Sequence, residues 1–195
     1  MLDALYLSPH LDDAVLSCGG RIAHAVARGE SVAIATFFTA DEPAEPPSAL
    51  AADLRRWWQL PAGAVMAARR AEDEAAVRSL GAEPLHLDLA EAPYRLSAAG
   101  APFYATLASL YGRVAAGDEA AIAAAAERIR ALPEARLVAV PLGVGGHVDH
   151  LVVRRAAEAS GRALAYYEEF PYSEWKWFAV RRALGGRGRI RRSAA

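Results

Sequence analysis

The strongest constraint on this chain is an alternation. Short apolar runs, each too brief for a helix, take turns with longer segments of helical period that stop at glycine. Residues 4–8, 31–39, 84–89, 136–142 and 163–168 read as strands, rich in Val, Ile, Leu, Tyr and Phe. Residues 14–28, 64–80, 118–132 and 148–160 read as helices. The first carries Val15, Ile22, Ala25 and Val26 on its apolar side. Gly29, Gly81 and Gly161 follow three of the helices as C′ glycines, and Pro133 stops the other. Strands that are apolar almost throughout belong to a parallel sheet covered on both faces. The pattern therefore predicts a Rossmann-like three-layer α/β sandwich with a mostly parallel sheet. In the common strand order 3-2-1-4-5, its ligand site lies at the strand C-termini. A 195-residue chain that is 54% hydrophobic holds one such core. We read residues 1–184 as a single domain and residues 185–195, with Arg187, Arg189, Arg191 and Arg192 among glycines, as a flexible tail.

Several function classes are excluded early. The net charge of -1 provides no global basic field for nucleic acid or an anionic membrane. The arginine tail lacks interleaved aromatics and offers only a generic, salt-sensitive attraction. One cysteine, Cys18, permits neither an internal disulfide framework nor a cysteine-rich zinc module. No apolar run nears the ~20 residues of a membrane span. The N-terminus reaches charge too early for a signal peptide, so a cytoplasmic protein is expected.

Two motifs carry chemistry. Ser8-Pro9-His10-Leu11-Asp12-Asp13 leaves the first strand and begins the first helix; Gly145-Gly146-His147-Val148-Asp149-His150 follows the fourth strand. One aspartate at a helix start is explained by capping and the helix dipole. Two adjacent carboxylates beside a histidine call for a compensating positive charge. The second motif, taken alone, is equally a glycine-rich turn with solvated histidines. Three of the five histidines nevertheless fall in these motifs, while His24 sits mid-helix and His86 mid-strand as structural residues. With the first and fourth strands adjacent, both motifs open into one crevice. Two imidazoles and a carboxylate with a fourth position open are the ligand set of a catalytic zinc, and a spare carboxylate suits a general base.

HxDD after the first strand, paired with HxDH after the fourth, resembles the LmbE/PIG-L-like zinc-dependent de-N-acetylases. Arg69-Arg70-Ala71-Glu72, in a helix ending Leu80-Gly81, is similar to that family's RxxE helix. The resemblance implies zinc on His10, Asp13 and His150, with iron(II) suiting the same donors, and Asp12 as general base. It implies His147 as the imidazole stabilising the tetrahedral intermediate, oriented by Asp149, and Arg69 as a substrate contact. The implied substrate is a small N-acetylated amino sugar or glycoconjugate. Family members often read HPDDE, where this chain has Leu11 and Ala14; some carry a tyrosine where this chain has Gly145. Tyr94, Tyr166 or Tyr167 would have to replace it. Rival readings are another metal-dependent amidase, a phosphoester hydrolase, and a non-catalytic metal-binding module. The phosphoester chemistry usually wants two metals and more carboxylates.

Weaker signals complete the reading. Tyr94 and Arg95, after the third strand, reach toward the crevice as substrate contacts. Trp57-Trp58 are assigned to core packing, with sugar stacking as the alternative. Trp175-Lys176-Trp177 would pack on the sheet edge or against a second copy in a homo-oligomer. Cys18 reads as an inert buried thiol. Gly19-Gly20, inside a helix, suggests close approach of another backbone element or a kink.

Overall fold

Five parallel strands form one sheet in the order β3-β2-β1-β4-β5. They are β1 (Leu2–Ser8), β2 (Val32–Thr36), β3 (Glu83–His86), β4 (Ala135–Pro141) and β5 (Leu164–Tyr167). The structure, a computed structural model, describes residues 1–61 and 63–172. Helices α1 (Asp13–Ala27), α2 (Ala49–Trp58), α3 (Val65–Ser79), α4 (Glu119–Ala131) and α5 (Val148–Glu158) connect them.

Strand alternation divides the core into two layers. Leu5, Leu7, Ala33, Ala35, Val138 and Val140 face α4 and α5, where Ala125, Ile129, Val152 and Ala156 are fully buried. Ala4, Tyr6, Val32, Ile34 and Ala139 face α1 and α3, against Ala14, Ile22 and Val77. Helices on both faces explain why the strands are apolar on both sides, and the expected three-layer α/β architecture is what forms.

Strands β2, β3 and β5 are shorter than the runs that predict them. Beyond β2, Phe37 and Phe38 turn their N–H groups to the carbonyls of Ser8 and Pro9, at 2.9 and 3.0 Å. Beyond β3, Asp88 adopts φ 58° and breaks the regular ladder. These extensions form the floor beneath the loops that leave the sheet.

The helix α2 is the main addition. Ser48 caps it by accepting the Ala51 N–H at 3.1 Å. Trp57 and Trp58 end it at 66% and 46% exposure, so the core-packing expectation is corrected. Leu50 and Leu54 face inward, but the same stripe runs past the body of the protein at Trp58. His86 does have a structural role, binding Asp73 of α3 through Nε2 at 2.8 Å, whereas His24 is exposed. Cys18 is buried and burial pushes its thiol up to about 12. Trp175-Lys176-Trp177, the 184 boundary and the 185–195 tail lie outside the described residues. Among the described residues no helix is long and apolar enough to cross a membrane.

The glycine pair in α1 does not meet a close neighbour. A Cβ on Gly19 would lie 3.8 Å from Leu80, and one on Gly20 would meet nothing within 4 Å. Gly81 differs, with φ +76° and a Cβ position 2.6 Å from Val26 Cγ1. Gly20→Ala should therefore stabilise the protein by about 0.5–1 kcal/mol, and Gly81→Ala should destabilise it by about 1–3 kcal/mol. Urea unfolding of both variants checks the pair; shifts of the same sign would contradict this account of the two backbones.

Candidate active site

The crevice begins where β1 and β4, adjacent in the sheet, deliver their loops to one edge. At the exit of β1, Ser8 Oγ donates to the His10 carbonyl at 2.8 Å and accepts the Ala14 N–H at 3.1 Å. That hydroxyl serves the helix start, while Asp12, at the N-cap position, makes no side-chain capping bond. Capping therefore does not account for the aspartate pair. Asp13 Oδ2 instead turns back to accept the His10 N–H at 2.9 Å. At the exit of β4 the chain enters α5 with His147 as N-cap, its Nδ1 accepting the Asp149 N–H at 3.3 Å.

The imidazoles of His10 and His150 converge on one oxygen. Asp13 Oδ2 lies 3.1 Å from His10 Nδ1 and 3.2 Å from His150 Nε2. The remaining ring nitrogens face fully buried carboxylates: His10 Nε2 is 3.1 Å from Asp149 Oδ2, and His150 Nδ1 is 3.0 Å from Glu169 Oε1. An ionised carboxylate only accepts, so each of these nitrogens carries the hydrogen and the opposite nitrogen is directed to Asp13. A carboxylate behind each ligating histidine is the usual support of a metal site. His147 joins the group, with one nitrogen from each of the three rings within 4.8 Å of the others.

Each buried carboxylate is compensated. Asp149 pairs with Arg95 Nη1 at 2.6 Å and accepts the Ala92 N–H at 3.0 Å. Arg95 is held in turn by Asp118, at 2.9 Å from Nη2, and Asp118 accepts the Tyr104 hydroxyl at 2.8 Å. Glu169 accepts the N–H groups of Gly143 and Val144 at 2.7 and 3.3 Å.

The charges follow from these contacts. Burial opposes protonation of His10 and His150, yet Asp13 with Asp149 holds His10 well above its usual range, and Asp13 with Glu169 raises His150 to about 9. Burial alone would raise Asp13; the two imidazolium groups hold it well below the carboxylate range. Two protons thus flank a carboxylate where a divalent cation would take their place, which is the donor chemistry a metal requires. His147 behaves differently: burial, then the charge of His10, lowers it to about 3. Asp12 is raised by partial burial and by the neighbouring Asp13 charge, and the residue as a whole remains exposed.

The site thus gathers His10, Asp12, Asp13, His147, Asp149 and His150 in one crevice, with three changes of detail. Burial favours the neutral form of His147 over the expected cation. The Asp149 carboxylate stands behind His10, and the hydrogen bond from Asp149 to His147 is donated by its backbone N–H instead. Arg95, expected at the substrate, bridges Asp118 and Asp149 inside the protein. Arg69 pairs with Glu91 at 2.8 Å on the rim, and Tyr94 is half-buried nearby. Tyr167 donates to the Leu7 carbonyl at 2.9 Å and Tyr166 lies exposed beside Glu158, so neither faces the crevice. The tyrosines that do reach it are Tyr111, its ring edge-on to His147 with centroids 5.4 Å apart, and Tyr172, 6.2 Å from His150. A Cβ on Gly145 would lie 2.7 Å from Tyr172, so that ring fills the space a side chain at 145 would need. Sequence reading missed Tyr111, Tyr172, Asp118 and Glu169; the Glu168-Glu169 pair ending a strand was the one available signal for the last.

A model of the PIG-L family, described as GlcNAc-PI de-N-acetylase, matches residues 5–160. The chain belongs to the PIG-L family. It is 37% identical over 182 residues to the 2'-N-acetylparomamine deacetylase of Streptomyces fradiae, covering 87% of this chain and 57% of that protein. The enzyme of the same name from Niallia circulans is 30% identical over 184 residues, covering 86% of this chain and 66% of the relative. The chain thus spans less than two thirds of either. Among solved structures, the zinc-inhibited form of a teicoplanin deacetylase superposes with a TM-score of 0.78 at 29% identity, covering 89% of this chain and 70% of that one.

In this PIG-L chain the buried carboxylates orient the imidazoles, which makes Glu169 testable. Glu169→Ala should weaken divalent-metal binding by about 10–100-fold, read by competition with a chromophoric chelator on folded protein. Unchanged affinity would show that His150 is oriented by its packing alone.

Proposed function

We propose that this chain is a metal-dependent N-deacetylase that releases acetate from an N-acetylated amino sugar or glycoconjugate. The observation that carries the reading is the convergence of His10 Nδ1 and His150 Nε2 on Asp13 Oδ2, with the Asp12 carboxyl beside them and without an ion pair among the described residues. Its PIG-L relatives, deacetylases of 2'-N-acetylparomamine and teicoplanin by name, support the choice of an amide on a sugar. Asp12 also weighs against a purely structural metal module, which needs no spare base.

His10, Asp13 and His150 would hold zinc or iron(II), which when bound supplies Lewis acidity toward water and the acyl oxygen. Asp12 takes a proton from the attacking water as its oxygen bonds to the acetyl carbon, then delivers that proton to the amine nitrogen as the C–N bond breaks. The products are acetate and a free amine. His147 acts from beside the metal. Its Nδ1 accepts a backbone N–H, so the neutral ring carries its hydrogen on Nε2, a donor rather than a ligand. That N–H stabilises the acyl oxygen as it gains charge. Arg69 and Tyr94 contact the sugar at the rim.

The test is acetate release from 2'-N-acetylparomamine and a panel of other N-acetylated sugars, with metal content measured on the same samples. Asp12→Asn should keep its metal and lose turnover by roughly 10²–10⁴-fold, while His150→Ala loses most of the metal. Metal lost equally from both variants, or no acetate from any sugar with metal bound, would overturn the assignment.

A further inference from the structure

The apolar stripe of α2 runs Leu50, Leu54, Trp58, the four-residue spacing of one helix face. Its first two members are covered, but Trp58 remains 46% exposed and Trp57 beside it 66%. An indole is among the largest apolar surfaces a side chain offers, and exposing two in succession is unfavourable without a use. The helix is not free to turn them inward. Arg55 ties it to buried Glu42 at 2.9 Å and to the carbonyls of Pro43 and Ala44, on the loop that follows the β2 extension. Trp58 is therefore held where its indole meets Arg69, the arginine that pairs with Glu91 on the rim.

Contacts lead from the indole to the crevice without a break. The Arg69 guanidinium lies 4.8 Å from the Trp58 ring centroid, covering one face, and its Nη1 bonds Glu91 at 2.8 Å. The next residue, Ala92, donates its N–H to Asp149 at 3.0 Å, and Asp149 holds His10 at 3.1 Å. The charge of Arg69 also reaches Asp12. Nearby carboxylates are already matched to arginines: Asp41 with Arg70, Glu42 with Arg55 and Glu91 with Arg69. With those charges paired, shape and apolar contact are left to select what sits on the rim.

We propose that Trp58, with Trp57 at its outer side, is a stacking platform for a second ring, the sugar or cyclitol joined to the N-acetylated one. A saturated ring with equatorial hydroxyls presents axial C–H groups on its faces, which lie flat on the indole face that Arg69 leaves uncovered, while its hydroxyls point outward to water. The proposal rests on the deacetylase reading: the acetamido group lies at Asp12 and the neighbouring ring extends over the rim. A one-ring substrate would leave the platform empty.

The test uses the full zinc-loaded chain. Acetate release is measured on N-acetylglucosamine, with one ring, and on 2'-N-acetylparomamine, with two; paromamine itself is titrated while tryptophan fluorescence is followed. Trp58→Ala should lower the two-ring to one-ring ratio of kcat/KM by about fivefold or more, through KM of the two-ring substrate, and remove the fluorescence response. Trp58→Phe, which keeps a ring beneath Arg69, should retain most of both. Trp57→Ala, at an exposed position, should shift the ratio in the same direction by less. A fluorescence response that Trp58→Ala removes, without acetate from either sugar, would support the platform while defeating the deacetylase reading. Acetate release with an unchanged ratio in both alanine variants would overturn the platform and leave the deacetylase reading standing. A response to anionic phospholipid vesicles but not to paromamine would also overturn it, in favour of a membrane surface.

Discussion

Two fully buried carboxylates, Asp149 and Glu169, determine how the rest of the crevice is built. An ionised carboxylate removed from water is costly unless charge and hydrogen bonds replace the solvent. Asp149 finds them in Arg95, the Ala92 N–H and His10; Glu169 finds them in two backbone N–H groups and His150. Each carboxylate orients its ring, and each ring so oriented turns its opposite nitrogen to Asp13. The convergence at Asp13 therefore originates behind the histidines. The same requirement anchors the long segment between β3 and α4, because Arg95 must also satisfy Asp118, which Tyr104 then bonds. A loop region that would otherwise be mobile becomes part of the site's support.

The fold makes this arrangement economical. Parallel strands deliver their C-terminal loops to one edge, and the reversal of strand order between β1 and β4 leaves a gap there. His10 and Asp13 come from one side of it, His147 and His150 from the other. The rim is supplied by α2 and by the segment that follows β3, which share a small apolar cluster of Leu50, Ala92, Tyr104 and Leu110 and are tied further by arginine–carboxylate pairs.

Most of the sheet and the inner site were legible because their signals are local. Apolar runs, C′ glycines and two short histidine–aspartate motifs each specify structure within a few residues. What was not legible depends on distant partners. Asp149 looks like the natural partner of His147 two positions earlier, but the start of α5 points its carboxylate to the opposite side, at His10 and Arg95. Burial, which a local motif does not reveal, disfavours the cation expected at His147. Glu169 reads as a solvated strand end until the loop after β4 folds over it. Helix α2 follows a proline-rich loop and spans only Ala49–Trp58, too short a period for its pattern to declare which face is buried.

The central claim is that carboxylates behind His10 and His150 set which nitrogen of each ring would face a bound metal. A crystal structure of the zinc-loaded protein, with the ion located by anomalous scattering, tests it directly. The account predicts one ion about 2.0–2.2 Å from His10 Nδ1, Asp13 Oδ2 and His150 Nε2, with His147 outside the ligand set. An ion held through His10 Nε2, or by His147 in place of Asp13, would contradict it.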